Sequence, residues 1–447
     1  MKRIIIIMIL CFCFTYVLGI IYYKDKFLPN TYINKIDVSN LAEEDAVKII
    51  EDNTKNSYTL TIQELDNKEE IIKGNEIELN AYADIKSLIA QQDNILWIIS
   101  FFKSNNYNLV PKVDFNEELL IKKIESLGCI KYGKNPMNAY ISEYIKDKGY
   151  EIIKEDNGSL VNKDSLIGKV QEKIRNLEGT LDLENEDCYE RVTVTSNDSS
   201  LIEVVEQLNS LLATKIIYIF GNDSIVLDAN TYYLWIVDSE DGLSINKDEV
   251  LNYVDTLANQ TDTVYTTRIF VTTSGESVNV QGPYGYQINK AAEVEQIIID
   301  IESRTEVTRE PIYKSKGDSR HGYDYGNTYV EVNLTNQMVY LYVDGQLIKT
   351  SKCVTGNVSK GHTTPAGIFP LTYKQKDKVL RGPDYASPVK FWMPFNGGIG
   401  LHDASWRNTF GGTIYKTNGS HGCVNLPYDM AKTLYESVYS GMPVICY

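Results

Sequence analysis

The histidines and one cysteine near the C-terminus are the residues best placed to do chemistry. His321, His362, His402 and His421 are the four histidines of the chain, and all fall within residues 321–447. His402-Asp403 is followed, with seventeen residues between His402 and Ser420, by Ser420-His421-Gly422-Cys423-Val424-Asn425. A free thiol titrates near pH ~8.5, so a nucleophilic cysteine needs an imidazole or another cationic neighbour. His402 supplies one if a loop folds the two segments together. Gly422 permits backbone angles and close approaches that let N–H groups face a developing oxyanion. An inert core thiol is the blander reading of Cys423, but Ser-His-Gly-Cys is not core patterning. Zinc held by His402, His421 and Cys423 is another, with His362 as the next ligand, but tight ligand spacing is missing. No metal and no organic cofactor is expected. His362 and His321 read as surface-loop residues, with His362 near enough in type and order to line a cleft.

The spacing His-x17-Ser-His-Gly-Cys-Val-Asn resembles the signature of L,D-transpeptidases with the YkuD-type catalytic domain. Thr364-Pro-Ala-Gly-Ile-Phe369, Trp392-Met-Pro-Phe395 and Gly400-Leu-His402 match the same family in the same order. The resemblance covers about residues 326–447. It implies Cys423 as nucleophile, His402 as general base, and the backbone N–H groups of His421, Gly422 and Cys423 as oxyanion donors. It also implies that the main-chain carbonyl of Asp403 orients the imidazole. Glycine is common at that position in the family, so the Asp403 side chain is a departure. Its carboxylate either acts on the imidazole by charge proximity or points to solvent. His421 is given a supporting role at the loop or the substrate. Trp406, Arg407 and Tyr415 read as a substrate-covering loop, and Ser420 and Asn425 join them as candidate substrate contacts.

By the same resemblance the substrate is a peptidoglycan stem peptide, cleaved after its third residue and joined to a second stem in a 3→3 cross-link. Water as acceptor would make the chain an L,D-carboxypeptidase instead, and a wall-binding scaffold is the non-enzymatic alternative. Carbapenem-type β-lactams are implied as acylating inhibitors.

What must position these residues is a long chain of several parts. The fold expected is multidomain: an N-terminal transmembrane helix, two α+β modules and a C-terminal β-rich, mostly antiparallel domain of sandwich or barrel type. The expected boundaries are an anchor over 1–25, modules over 26–195 and 196–316, a linker over 317–327 and the catalytic domain over 328–447. Lys2 and Arg3 precede an uncharged run over residues 4–21. Those eighteen residues span roughly 27 Å as a helix, enough for the hydrocarbon core. Charge before the run predicts a cytoplasmic N-terminus and an exported remainder, placing the later parts on the wall side of the cell membrane. The region offers no small-x-small cleavage site, since Gly19 is the one small residue near its end, so the anchor is expected to stay.

Residues 326–447 hold 11 Lys and Arg against 7 Asp and Glu, a balance of +4, while the preceding 325 hold 33 against 53, a balance of −20. An acidic stem makes nucleic acid an unsuitable partner, and a basic C-terminal part suits anionic wall polymer. Seven widely spaced cysteines without a CxxC pair are a poor disulfide framework.

Within the stem, residues 58–80 read as a hairpin and 81–104 as a helix with Trp97 and Phe101 on one face. A helix after residue 40 is expected to be capped by Ser39 or Asn40. Gly149-Tyr-Glu-Ile-Ile with Asn162-Lys163, and Gly285-Tyr-Gln-Ile-Asn289-Lys290, repeat one pattern of strand, Asn-Lys and helix. This pattern is similar to the proposed peptidoglycan-binding modules that precede some wall enzymes, and a plain spacer that lifts the enzyme off the membrane is the alternative reading. With a stem so acidic, any such contact is expected through Tyr284, Tyr286, Trp97 and Trp235. Asp344-Gly345 between alternating runs predicts a hairpin, and a short helix is expected near 430–439.

Overall fold

The computed structural model describes residues 1–82, 84–239, 242–382 and 385–447, and it divides the chain into two compact units. Unit 1 comprises Met1–Ile141 and Ile152–Ile202, and unit 2 comprises Ser142–Glu151 and Glu203–Tyr447.

Unit 1 opens with helix α1 (Lys2–Tyr22), whose apolar window is not buried by the rest of the protein. It is long and apolar enough to cross a membrane. Its one hydroxyl before the tyrosines, Thr15, returns to the Cys11 and Phe12 carbonyls, each at 2.9 Å, so that hydroxyl does not require water. Helix α2 (Glu43–Ser57) starts after Ala42 with no side-chain cap. Ser39 and Asn40 are engaged elsewhere. The Ser39 hydroxyl accepts from Thr31 N–H at 3.1 Å, and the Asn40 side chain accepts from the Tyr23 hydroxyl at 2.8 Å. Glu43, Glu44 and Asp45 face the helix N-terminus instead, which the macrodipole favours.

The hairpin expected over 58–80 is strands β1 (Thr59–Gln63) and β2 (Glu69–Lys73). Next come α3 (Glu117–Ser126), capped by Asn116, and α4 (Lys163–Arg175), capped by Asn162. Strand β3 (Thr180–Asp182) then returns parallel to β1. Leu60, Ile62, Ile72, Leu120, Ile124, Leu166, Val170 and Leu181 close one core between them. The helix expected over 81–104 is broken. A strand at Asn80–Tyr82 and a helix at Lys86–Gln91 give way to 3-10 turns at Asn94–Leu96 and Ile99–Phe101. Gln92 stops the helix by turning its side chain onto Leu28 N–H (2.9 Å) and Lys26 O (3.1 Å).

Unit 2 repeats the order of elements found in unit 1. Hairpin β4 (Lys215–Phe220) and β5 (Asp223–Leu227) is followed by α5 (Lys247–Thr261), capped by Asn246, and α6 (Lys290–Ser303), capped by Asn289. Strand β6 (Glu306–Arg309) then lies parallel to β4, as β3 does to β1. The two Asn-Lys positions read from sequence are therefore the N-caps of corresponding helices. Tyr284, Tyr286 and Trp235 are interior residues here, at 2 %, 6 % and 6 % exposure. Trp97 packs on α1. The aromatic wall contacts expected of these four are thus corrected: Tyr284, Tyr286 and Trp235 are interior, and Trp97 is taken up by α1.

The C-terminal part of unit 2 holds two sheets. The first runs β9 (Gln346–Lys352), β8 (Met338–Val343), β7 (Tyr329–Asn333), β15 (Pro443–Cys446), β10 (Gly367–Pro370). The second runs β11 (Gln375–Gly382), β12 (Tyr385–Asn396), β13 (Ile399–Asp403), β14 (Val424–Leu426). Two pairs are parallel, β7 with β15 and β13 with β14, and the rest antiparallel. Val332, Leu341, Met393, Leu401, Val424 and Val444 share one core with Leu434 of α7 (Tyr428–Ser437). Asp344 (φ 48°) and Gly345 (φ 77°) make the expected hairpin turn between β8 and β9.

Residues 317–327, read from sequence as a linker, are packed. Asp324 takes a bidentate pair from Arg268, Nε to Oδ1 at 2.7 Å and Nη2 to Oδ2 at 2.6 Å, with both side chains under 10 % exposed. Tyr325 lies against Phe270 with ring centroids 5.5 Å apart.

Candidate active site

Strand β13 delivers His402 and Asp403, and β14 runs beside it in parallel, with His402 opposite Asn425 and Leu401 opposite Val424. Cys423 is the residue just before β14, so the intervening excursion brings thiol and imidazole to the same end of this strand pair. Both line a cavity of about 200 Å³, with Trp406, Arg407, His421 and Asn425. Leu380 and Ser387, from the β11–β12 hairpin, close another wall. Tyr415 is not among the lining residues; it sits in a short helix, Ile414–Asn418.

The imidazole is held from several directions. His402 Nδ1 lies 2.8 Å from the Asp403 carbonyl, and a carbonyl can only accept. Nδ1 therefore carries the proton, and Nε2 presents its lone pair. Trp392, opposite His402 in the β12–β13 register, and Trp406 each place a ring centroid 5.9 Å from the imidazole. Burial drives the His402 pKa below its ordinary value, while the Asp403 carbonyl and charge pull it up and Arg407 pushes it down.

The Asp403 carboxylate does not point to solvent. Its Oδ1 accepts from Lys390 N–H and Phe391 N–H, both at 2.8 Å, and the residue is 2 % exposed. One residue thus orients the base with its main chain and ties β12 to β13 with its side chain.

The thiol loop is fastened around Gly422, whose φ is +115°, a conformation that side-chain-bearing residues rarely adopt. An added Cβ would also meet Ile399 Cδ1 at 3.1 Å. The Ser420 hydroxyl donates to Cys423 O at 2.5 Å and accepts from Gly422 N–H at 3.1 Å. One of the three N–H groups implied as oxyanion donors is therefore already engaged. Thr364 Oγ1 donates to Gly422 O at 2.6 Å and accepts from Gly356 N–H at 2.9 Å, locking the loop from behind. Cys423 Sγ lies 3.6 Å from Gly398 O, and burial pushes the thiol up to about 11. His362 is no isolated loop residue, for its ring sits 4.7 Å from that of His421.

Asn425 Oδ1 and Arg407 Nε are buried without hydrogen-bond partners, an acceptor and a donor on residues that line the cavity. Such groups carry a desolvation cost in the resting site. Sequence reasoning assigned no role to Thr364 or Trp392, although both stand inside quoted motifs. Their order along the chain was visible, but their contacts depend on sheet register.

A larger cavity, about 700 Å³, lies in unit 1 beside Glu64, Glu70 and Cys129. Ligand atoms of these three lie within 4.8 Å of one another, the one such cluster among the described residues. Burial and Glu70 push Glu64 up to about 7, and Cys129 rises to about 12 chiefly by burial. All seven cysteines are free.

Residues 327–446 match the family model of the L,D-transpeptidase catalytic domain, and residues 204–308 match that described as “Putative peptidoglycan binding domain”. Among solved structures, an Enterococcus faecium L,D-transpeptidase mutant is 29 % identical over 55 % of this chain and 100 % of its own, with a TM-score of 0.46. The Ldtfm–avibactam carbamoyl enzyme is 30 % identical over 55 % and 98 %, also at 0.46. The E. faecium L,D-transpeptidase catalytic domain acylated by ertapenem is 40 % identical over 27 % and 98 %, at 0.26. No curated protein matches the chain. The two family matches define a multidomain protein whose β-rich C-terminal region is an L,D-transpeptidase catalytic domain. The chain belongs to the L,D-transpeptidase family.

Proposed function

We propose that the chain is a membrane-anchored, wall-side L,D-transpeptidase that forms 3→3 cross-links through a Cys423 thioester. The observation that carries this reading is the His402 Nδ1 contact with the Asp403 carbonyl, which leaves Nε2 unprotonated in the cavity that Cys423 lines. In the first half-reaction, Sγ attacks the carbonyl of the third residue of a tetrapeptide stem while its proton passes to His402 Nε2. The oxyanion is stabilised by backbone N–H groups of the 421–423 segment, with Gly422 N–H exchanging its bond to Ser420. His402 returns the proton to the departing D-Ala amine, and a thioester remains. The side-chain amine of a second stem then attacks the thioester, gives its proton to Nε2 and regenerates the thiol. Arg407 and Asn425, which line the cavity, are assigned to substrate polar groups, Trp406 to covering them, and Ser420 to shaping the loop. Tyr415 is left with a supporting position in the covering segment.

The apolar α1 and the wall-type family matches support anchoring at the membrane with the remaining chain outside. Carbapenem-type β-lactams should acylate the same thiol. The test incubates full-length chain with purified disaccharide-tetrapeptide and separates the products by mass. Dimer with loss of D-Ala supports the proposal. Tripeptide alone would identify water as the acceptor and make the chain a carboxypeptidase. Neither product, with Cys423 inert to thiol reagents across the pH range, would leave a wall-binding scaffold.

A further inference from the structure

Beside the anchor, unit 1 presents an apolar surface that its own core does not use. Residues 94–103 read Asn-Ile-Leu-Trp-Ile-Ile-Ser-Phe-Phe-Lys, and five of their apolar side chains are open. Ile95 is 57 % exposed, Leu96 45 %, Ile99 53 %, Phe101 52 % and Phe102 89 %. The segment is fastened to α1. Tyr16 Oη donates to Ile95 O at 2.7 Å, and Trp97 Nε1 donates to Tyr16 O at 3.2 Å. The Trp97 ring fills the notch at Gly19, where an added Cβ would meet the indole at 2.2 Å. It also neighbours Tyr23 and Phe101, at 5.7 and 6.0 Å between centroids.

The depth of this contact follows from the helix. Tyr16 stands five residues before Ile21, where the apolar run ends, which is about 7.5 Å along the axis at 1.5 Å per residue. Interfacial segments bury their apolar faces about 5–10 Å into the headgroup and acyl boundary, and Trp and Tyr concentrate there. The segment also meets the demand that backbone groups at that depth be satisfied within the protein. Its 3-10 turns bond Leu96 N–H to Asp93 O and Phe102 N–H to Ile99 O, both at 2.9 Å. Asn30 Nδ2 donates to Ser100 O at 2.8 Å and Phe101 O at 3.0 Å. Lys24, Lys26 and Lys103 flank the apolar part, as expected where it meets charged headgroups.

We propose that residues 94–103 form a membrane-seating loop that enters the outer-leaflet interface beside α1. This rests on the reading of α1 as a membrane anchor. Unit 1 is then held to the bilayer at two adjoining points, the second of which limits swivelling about the first.

The test reconstitutes the full chain in phosphatidylcholine vesicles whose acyl chains are brominated near the carbonyl end or near the methyl end. Alkaline carbonate extraction is run on the same sample. Trp97 emission is isolated by subtracting a W97F sample, and F102W in the W97F background reports the open end of the loop. Retention in the membrane, with both tryptophans quenched more by the shallow bromines, is the expected result. Retention without quenching overturns the seating loop and leaves the anchor. Extraction by carbonate overturns the anchor and the loop with it. G19L keeps the anchor apolar but blocks the indole, so retention should persist while Trp97 quenching falls at least twofold. Unchanged Trp97 quenching in G19L would refute docking through the glycine notch.

Discussion

The protonation state of the resting site can be tested without substrate. Burial sets the Cys423 thiol near 11, and burial also holds His402 below its ordinary value of about 6.5. Moving the proton from Sγ to Nε2 then runs uphill by more than the roughly 4.5 units that separate the thiol from an ordinary imidazole. At about 1.4 kcal/mol per unit that is at least about 6 kcal/mol, before the attraction of the new charges. The resting pair is therefore neutral, and thiolate forms only as the substrate carbonyl takes up the charge. The assay is alkylation of Cys423 by neutral iodoacetamide at a series of pH values, followed site by site by peptide mass mapping. The rate should climb about tenfold per unit through about pH 8–10 with no neutral plateau, because only thiolate reacts. A plateau beginning near or below about pH 7 would show a preformed thiolate–imidazolium pair and refute the argument. Acylation by a carbapenem should differ in form. It should rise through the depressed His402 pKa, since the base works only when neutral, and stay flat from about pH 7 to 9.

Other substitutions separate the roles of neighbouring groups. Cys423→Ala should abolish acylation, and His402→Ala should slow it by about 10²- to 10⁴-fold, read by intact-protein mass spectrometry; a His421→Ala loss as large would reverse the two roles. Asp403→Asn keeps an acceptor for Lys390 and Phe391 N–H, whereas Asp403→Gly orphans both at about 1–3 kcal/mol each, so urea denaturation should find the glycine variant less stable. Gly422→Ala, forced to φ +115° against Ile399, should cost at least about 1–2 kcal/mol and slow acylation. Arg268→Met strands the buried Asp324 carboxylate, so unit 2 should lose about 3–5 kcal/mol, and an unchanged urea midpoint would show that the pair is dispensable.

Much of the architecture was legible wherever a local rule had no competitor. Alternation gave the β7–β8–β9 meander, and Asp344-Gly345 gave its turn, because those two residues tolerate positive φ and their neighbours do not. The Asn-Lys pairs gave two helix starts. The rules failed where tertiary partners took the local signal. Ser39 and Asn40 look like caps, but Thr31 and Tyr23 occupy their side chains. The apolar stretch after residue 81 has helical periodicity, yet its residues serve the Gln92 stop and the contact with α1. Residues 317–327 are polar enough for a linker, and composition could not reveal that Asp324 meets Arg268, which lies 56 residues earlier.

The site shows the same division between chemistry and position. Cys423, His402 and Gly422 announce themselves through residue type and spacing. The groups that orient them do not, because a carbonyl, a strand register and a backside threonine leave little trace in one sequence. Asp403 is the instructive case. Its side chain departs from the glycine common in the family and invites an electrostatic role, since a carboxylate beside an imidazole raises its pKa. Yet that carboxylate is bonded by two β12 amides, while the orienting atom is the carbonyl that every residue possesses. Aspartate at 403 therefore serves the sheet first and the imidazole through its backbone. The cavity wall at Leu380 and Ser387 belongs to the hairpin whose returning strand Asp403 ties down. Loosening that tie should consequently weaken substrate capture more than it alters the pH at which His402 works.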